Sequence, residues 1–499
     1  MTSKPIKVLL EMRPALHGHA GIPQETRLLF RGLALLKELQ VEGLIQHNGR
    51  LLAAGLPTGP SRRAKLLSKD EQINRLGNVV ISLEQSFWNS LLRTILHTAA
   101  MALGKVFGGR IELSRFDATH LQDYIWHRFF SKTLPPEDFG IVTRAGYRIV
   151  RIPWEAMQIC ALVTRFIGVS LFGRLDTRDF DVLIAETPYP ALVTRNTHLV
   201  IRYHDAIPLV MPHTISDRHY HHAWHYYALL SNVRSGAWFV CVSEATRKDL
   251  LSIFPEVEQR AITIHNMVSH HYFDESSDCR LVPEIIRTRL NTKIRPPLDV
   301  GHVRKLLDDY GQGKMMQYLL MVATIEPRKN HLALLGAWER IRVEQFPELK
   351  LLIVGTPGWH CEGIVEKFHP WLERADVFLL HDIPSSELRL LYKHARATIC
   401  PSFGEGFDFA GVEAMISGGA VVASDIPVHR EVYDDAAEFF NPYSGEDFRA
   451  AILRVITTEG SARRAELVER GAVVARRYGH DAILPQWQEF LRRLVSPVN

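Results

Sequence analysis

Between residues 318 and 427 one unit recurs: a short apolar run, a turn, then a segment of helical length. "YLLMVATIEPRKN", "KLLIVGTPGW", "DVFLLHDIPSSELRLLY", "ATICPSFGEGF" and "AVVASDIP" each supply such a run. Apolar strands separated by helices cannot pair as tight hairpins. They need crossover connections, and crossovers build a parallel sheet. The same rhythm opens the chain in "IKVLLEM", a loop with Gly18, Gly21 and Pro23, and the helical "RLLFRGLALLKEL". It returns in "FDVLIAETPYP", "THLVIRYHDAIPL" and "GAWFVCVSEATRKDLL". A chain of 499 residues exceeds what one core supports. Two α/β halves are therefore expected, each with its own parallel sheet.

Residues 50–145 break the rhythm. They read as helical and loop material inserted into the first half, with a charged "SRRAKLLSKDEQINRL" and amphipathic stretches at 88–109 and, further on, 154–173. Residues 51–180 hold 17 Lys/Arg against 11 Asp/Glu. Packing on the first domain is the first reading of these helices, and contact with an anionic membrane surface the second. The polar, Pro-containing 272–313, with "IRPPLDV", is the candidate linker.

Composition excludes several classes. The net charge of +4 is mild, and no basic run interleaved with aromatics supports nucleic-acid binding. Cys160, Cys241, Cys279, Cys361 and Cys400 are scattered, without a C-x-x-C, so reduced buried thiols in a cytoplasmic protein are expected rather than disulfides or zinc. The N-terminal apolar run is too short for a signal peptide, and no stretch reaches about 20 clean apolar residues.

Ligands of open parallel sheets bind beyond the carboxyl ends of the strands. The polar clusters at such places are Gly18–Gly21, His204–Asp205, Ser243–Glu244, Arg328–Lys329 and the Glu405 loop. Arg328 offers a forked donor and Lys329 a point charge, a combination suited to a diphosphate. Amides at Gly21–Ile22, opening a helix, suit another phosphate oxygen. Glu405 sits among glycines and Glu413 eight positions on, in a probable helix. His219, His221, His222 and His225 offer a spacing metals can use, but packing is the preferred reading, and Ser243 reads first as a helix N-cap.

"TIEPRKNH", followed by "PSFGEGFDFAGVEAM…GGAVVASDIP", resembles the family 4 nucleotide-sugar glycosyltransferases, with "YHDAIPL" and "VSEATRKDL" similar to their first half. The likeness is strongest to bacterial surface-polysaccharide and mannosyltransferase-like members, and it covers about 5–48 and 180–490. It implies the GT-B fold: two facing Rossmann-like domains, here 1–300 with a helical insertion and 314–480, and a final helix, 481–499, packing back on the first. It also implies a retaining, metal-independent hexosyl transfer from a nucleotide-diphosphate sugar to a glycan or lipid-linked glycan, with no cofactor and no nucleic acid. The setting would be cytoplasmic, with peripheral contact at the inner face of the membrane. By the same resemblance Glu405 meets donor-sugar hydroxyls and Glu413 the ribose. Arg328 and Lys329 neutralise the diphosphate, and His204 lies at the reacting centre. Gly21 approaches the phosphates, and the amides of Phe407, Asp408 and Phe409 hold sugar hydroxyls.

Two departures stand out. "EGFDFAG" has Asp408 where the family has glycine and Ala410 where it has proline, and "HGHAGIPQET" lacks the paired glycines of the usual first loop. Asp408 is the feature that keeps a second reading open, a non-catalytic GT-B nucleotide-binding or scaffold protein.

Overall fold

The computed structural model describes residues 4–19, 21–58, 67–85, 109–167, 172–291, 307, 310 and 315–496. In chain order the strands are β1 (Ile6–Glu11), β2 (Leu39–Ile45), β3 (Arg110–Ile111), β4 (Ser114–Phe116), β5 (Gly146–Ile149), β6 (Arg174–Leu175), β7 (Val182–Ala185) and β8 (His198–Tyr203). They continue as β9 (Trp238–Cys241), β10 (Ala261–Thr263), β11 (Tyr318–Val322), β12 (Lys350–Val354), β13 (Val377–Leu380), β14 (Ala397–Cys400), β15 (Val421–Ser424) and β16 (Ala437–Phe440). The first domain holds an eight-stranded sheet in the order β10-β9-β8-β7-β1-β2-β5-β4, the second a six-stranded sheet in the order β13-β12-β11-β14-β15-β16. Every pairing in these two sheets is parallel except β4 on β5. β12, β13, β14 and β15 are buried along their whole length. Helices cover both faces of a parallel sheet, so such strands read as continuous apolar runs.

Both sheets have a point where strand order reverses. In the first it lies between β1 and β7, in the second between β11 and β14. Crevices at such points are where ligands of this architecture sit. The loops after β1, β7 and β8 and those after β11 and β14 meet there.

The segment 50–145 is not purely helical or separate. It supplies β4, the antiparallel edge of the first sheet. Leu76, Val79 and Leu83 of the helix Lys69–Glu84, and Phe129 and Phe130 of the π-helical turn Trp126–Phe130, join the same core as β1. Two strands of two or three residues are too short to register as a period in the sequence. The stretch 86–108, with most of the amphipathic 88–109, lies outside the described residues, as do Arg62, Arg63 and Lys65. The helix Trp154–Ile167 buries Trp154, Ala156, Met157 and Cys160 against the first sheet.

Part of the candidate linker is folded. Within the candidate linker, the helix Leu281–Arg289 packs Val282, Ile285 and Ile286 into the second domain's core, and Leu290 bridges to Leu380. Its three apolar positions are real helical periodicity, masked in the sequence by Pro283 and Glu284 between them and by Arg287 and Thr288 after them. At the other end, the helix His480–Val495 lays Ile483, Leu484, Trp487 and Leu491 into the first domain's core, with Trp487 beneath the Arg202 guanidinium. The chain thus crosses between the domains twice. Among the described residues no helix is long and apolar enough to span a membrane. Cys160, Cys241, Cys361 and Cys400 are buried free thiols, while Cys279 is half-exposed.

Candidate active site at the junction of the two sheets

β11 ends at the turn Pro327–Lys329, and Asn330 takes φ 60°, a left-handed conformation asparagine tolerates, before the helix His331–Glu344 begins. That turn aims Arg328 and Lys329 at the loop after β14. Glu405 of this loop receives both: Arg328 Nη1 stands 2.8 Å from Oε2, and Lys329 Nζ 2.5 Å from Oε1. Arg328 also binds Glu326 at 2.7 Å and the Gly404 carbonyl. Burial would raise the Glu405 carboxyl, but Arg328 and Lys329 outweigh it and hold it below the usual range. Burial works against the Arg328 charge, and Glu405 and Glu326 overcome it. The three side chains thus form a buried, compensated ion cluster.

Opposite stands His204, at the end of β8. Its Nε2 lies 3.1 Å from Glu186 Oε2, beyond the end of β7. Burial, then Arg202, pushes His204 down to about 4, and burial pushes Glu186 up to about 8. Near neutral pH the two form a neutral hydrogen-bonded pair rather than an ion pair. Glu186 also receives nothing on its buried Oε1, while its own amide donates to Glu11 Oε2. Sequence reasoning missed Glu186. Its signal was available, since it is the first polar residue after the strand "VLIA".

The domains touch at this place. A Cβ on Gly406 would stand 1.7 Å from the His204 carbonyl oxygen, so only glycine lets the second-domain loop approach so closely. Thr246 Oγ1 donates to the Gly406 carbonyl at 3.3 Å. Ser243 caps the helix Glu244–Ile253 by accepting from the Thr246 amide, and Glu431 of the second domain accepts from the amides of Glu244 and Ala245 at 2.6 and 2.9 Å. A carboxylate on helix N-terminal amides is a favourable placement.

Asp408 is explained by its surroundings. Its φ is −109°, so the glycine of the usual pattern is not needed for a left-handed turn. The side chain turns back to cap the helix Phe409–Ile416 through the Ala410 amide, 3.2 Å, and to meet His429 Nε2 at 3.3 Å. Burial would raise it, but the His429 bond and the Lys329 charge hold it low. The added carboxylate therefore belongs to the second domain's interior rather than projecting beside a ligand. The amides of Phe407, Asp408 and Phe409 donate to no acceptor among the described residues.

Glu413 is buried in the helix Phe409–Ile416. It accepts from Gln24 Nε2 of the first domain at 2.8 Å and from Tyr392 at 3.1 Å, with Tyr272 a third donor. Burial pushes it up to about 7 against those bonds. Nothing in the sequence singled out Gln24, which lies 389 positions away. Gly21, with φ 68°, caps the helix Ile22–Ala34 that carries Gln24. Three of the four histidines at 219–225 engage aromatic neighbours: His221 meets Trp359 at 5.5 Å, His222 stacks on Tyr226, and His225 is buried beside Tyr203 and Trp224.

The whole chain matches solved GT-B glycosyltransferases in fold. With sucrose-phosphate synthase of Thermosynechococcus elongatus the TM-score is 0.57 at 12% identity, covering 98% of this chain and 99% of that one. With a glycosyltransferase of Rickettsia africae it is 0.53 at 14% identity, covering 99% and 100%. The chain has the two-domain GT-B fold.

Residues 304–473 match the family model of glycosyl transferases group 1. Relatives are bacterial mannosyltransferases. The serotype-specific mannosyltransferase WbdA of Escherichia coli is 36% identical over 135 residues, 27% of this chain and 16% of that protein. The phosphatidyl-myo-inositol mannosyltransferase of Mycobacterium tuberculosis strain H37Rv is 31% identical over 186 residues, 36% and 47%. The match spans less than half of either relative's length.

Proposed function

We infer that the protein is a retaining, metal-independent glycosyltransferase that moves a hexose from a nucleotide-diphosphate sugar to a glycan or lipid-linked glycan in surface-polysaccharide synthesis. One observation carries this reading: Arg328, Lys329 and Glu405 form a compensated ion cluster facing His204 across a glycine-thin contact between the domains. Breaking a glycosyl–diphosphate bond builds negative charge on the leaving group and positive character on the sugar. Fixed cations at the diphosphate stabilise that separation without solvent reorganisation. Here the diphosphate takes over Arg328 and Lys329 from Glu405, which turns to the sugar hydroxyls. The free amides of Phe407–Phe409 hold further hydroxyls, and His204, kept neutral by burial, lies at the reacting centre. The leaving phosphate assists deprotonation of the acceptor on the same face, giving retention. The mannosyl relatives favour a mannose-type donor.

A panel of nucleotide sugars, read as nucleotide release with and without acceptor, tests this. Release with one donor class, undiminished by a chelator, with the anomeric configuration kept, is expected. Nucleotide binding without release under any donor and acceptor would favour the non-catalytic scaffold instead.

A further inference from the structure

Outside the ion cluster, the first domain gathers unbalanced positive charge beyond the ends of β1 and β2. Arg27 is fully buried, yet its guanidinium meets no carboxylate among the described residues. It donates to the carbonyls of Phe129, Ala15 and Gly18 and to Thr133 Oγ1, at 2.6 to 2.9 Å. A buried cation held only by neutral acceptors leaves its field uncancelled. Above it the loop after β1 carries His17 and His19, both exposed. His17 meets His47, at the end of β2, ring centre to ring centre at 6.2 Å. His47 is buried, and its Nδ1 accepts from the amides of Gly49 and Arg50, which leaves the proton on its other nitrogen. Arg128 Nη1 reaches the Leu16 carbonyl, and His19 lies against the Lys132 backbone. The charges acting on His17 are those of Arg128, Lys132, Arg13 and Arg50, all positive. Arg13 is engaged by Glu11 and Arg128 by Glu84, and Asp382 of the second domain reaches His19 at 3.2 Å. His17 and Lys132 are left facing outward, with the buried His47 beside His17 and Arg27 beneath them.

We propose that this cluster is a subsite for a phosphate-bearing acceptor, in which His17, backed by the buried His47, and Lys132 bind a phosphomonoester or diphosphate over the buried Arg27. The proposal rests on the glycosyl-transfer reading and names the acceptor's chemistry. The location fits. β1 and β2 lie two and three strands from β8, which bears His204. At the spacing of neighbouring strands that is about 10–14 Å, the span of a short oligosaccharide between an attacking hydroxyl and a phosphate at its far end. The donor diphosphate has its own cations on the second domain, so the two anions do not compete. An anion here meets donors and imidazoles at a low-dielectric surface, where charge-assisted bonds are strongest.

The test is calorimetric titration of inorganic pyrophosphate into the full chain already saturated with a nucleoside diphosphate, so that the donor site is filled. The parent should bind pyrophosphate, and the exposed-site double variant His17→Gln/Lys132→Gln should bind it at least tenfold more weakly. Both should keep the same melting temperature and nucleoside-diphosphate affinity. No pyrophosphate binding once the nucleotide is present, or equal binding by parent and variant, overturns the subsite. A protein that binds no nucleoside diphosphate fails the glycosyl-transfer reading alone, because the difference in pyrophosphate affinity still decides the subsite. Methyl diphosphate and dodecyl diphosphate then separate the sources. Tighter binding of the long chain assigns a lipid carrier, and equal binding a soluble sugar phosphate; both uphold the subsite.

Discussion

The two faces of the cleft handle charge in opposite ways. On the second-domain face the cations are matched: Arg328 and Lys329 on Glu405, Arg328 again on Glu326, all within 3 Å. On the first-domain face Arg13 and Arg202 are paired with Glu11 and Glu25, but the His204–Glu186 pair is held neutral and Arg27 meets no carboxylate among the described residues. A compensated cluster can exchange one anion for another at little electrostatic cost, which suits a site that receives a dianionic leaving group. A neutral imidazole in a dry pocket suits the sugar, where a fixed cation would oppose the developing oxocarbenium ion. On the proposed reading, the donor phosphate belongs to the second-domain face, and the reacting centre and acceptor belong to the first.

The largest effect expected follows from that assignment. Arg328→Ala or Lys329→Ala should lower kcat by about 10²-fold or more, as loss of one charge-stabilising donor does. Each also leaves Glu405 with only one of its two cations, so Arg328→Lys, which keeps the charge but loses the fork, is the informative companion. It should melt near the parent temperature and still be slow. Steady-state nucleotide release and a melting curve check both. Parent-like turnover in a folded Arg328→Ala would remove the donor phosphate from this face.

Next is the contact that holds the faces together. Gly406→Ala would place a methyl carbon into the His204 carbonyl. Neither backbone can yield without moving its loop, and misplacement by about 1 Å costs on the order of 10²-fold in rate. The expected outcome is a folded protein with kcat/KM reduced by about that factor. Small-angle scattering should show looser domains. Full activity would mean that catalysis does not need this contact.

The second-domain face was far more legible in the sequence than the first. Arg328, Lys329, Glu405 and Glu413 fall within 86 consecutive residues, on turns after apolar strands or, for Glu413, in the helix that follows, so local order carries them to one place. The partners on the first-domain face come from afar. Gln24 reaches Glu413 across 389 positions and Glu186 reaches His204 across 18, from the ends of two adjacent strands. Sheet order, not sequence, makes them neighbours. The Asp408 substitution could not be interpreted without His429, whose buried position comes from the next helix. The strands inside 50–145 escaped for a different reason: two or three residues carry no periodicity, and β4 earns its place only by pairing with β5.

A smaller, pH-dependent effect sharpens the contrast between the two glutamates. Glu413 is pushed up from 4.5 to about 7, chiefly by burial, with Asp408 adding to it and the bonds from Gln24, Tyr392 and Tyr272 opposing it. A raised carboxyl binds its proton more tightly when folded. Its contribution to stability is therefore complete below about pH 4.5 and lost as pH rises through about 7. Glu413→Gln should flatten part of the fall in melting temperature across that window. Glu405 is shifted the opposite way by Arg328 and Lys329, so its contribution is lost as pH falls. A Glu413→Gln protein with the parent's pH profile would show that the carboxyl stays ionised.

The smallest effect bears on how the two faces communicate. Gln24 joins the helix Ile22–Ala34 of the first domain to Glu413 of the second, at the position where the ribose would bind. A nucleotide must displace this bond before its hydroxyls can use Glu413. A hydrogen bond of an amide to a carboxyl that is half protonated near neutral pH is worth about 1 kcal/mol net, and 1.4 kcal/mol is tenfold in affinity. Gln24→Ala should therefore raise nucleoside-diphosphate affinity by a few-fold, whereas Glu413→Ala, which removes the acceptor itself, should lower it by about tenfold. The two substitutions cut the same contact from opposite sides, so opposite signs in a titration identify Gln24 as a placeholder for the ligand. Equal weakening by both would make Gln24 a ligand contact in its own right. The first-domain face would then also hold the nucleotide, and the division of labour between the faces would fail at that point.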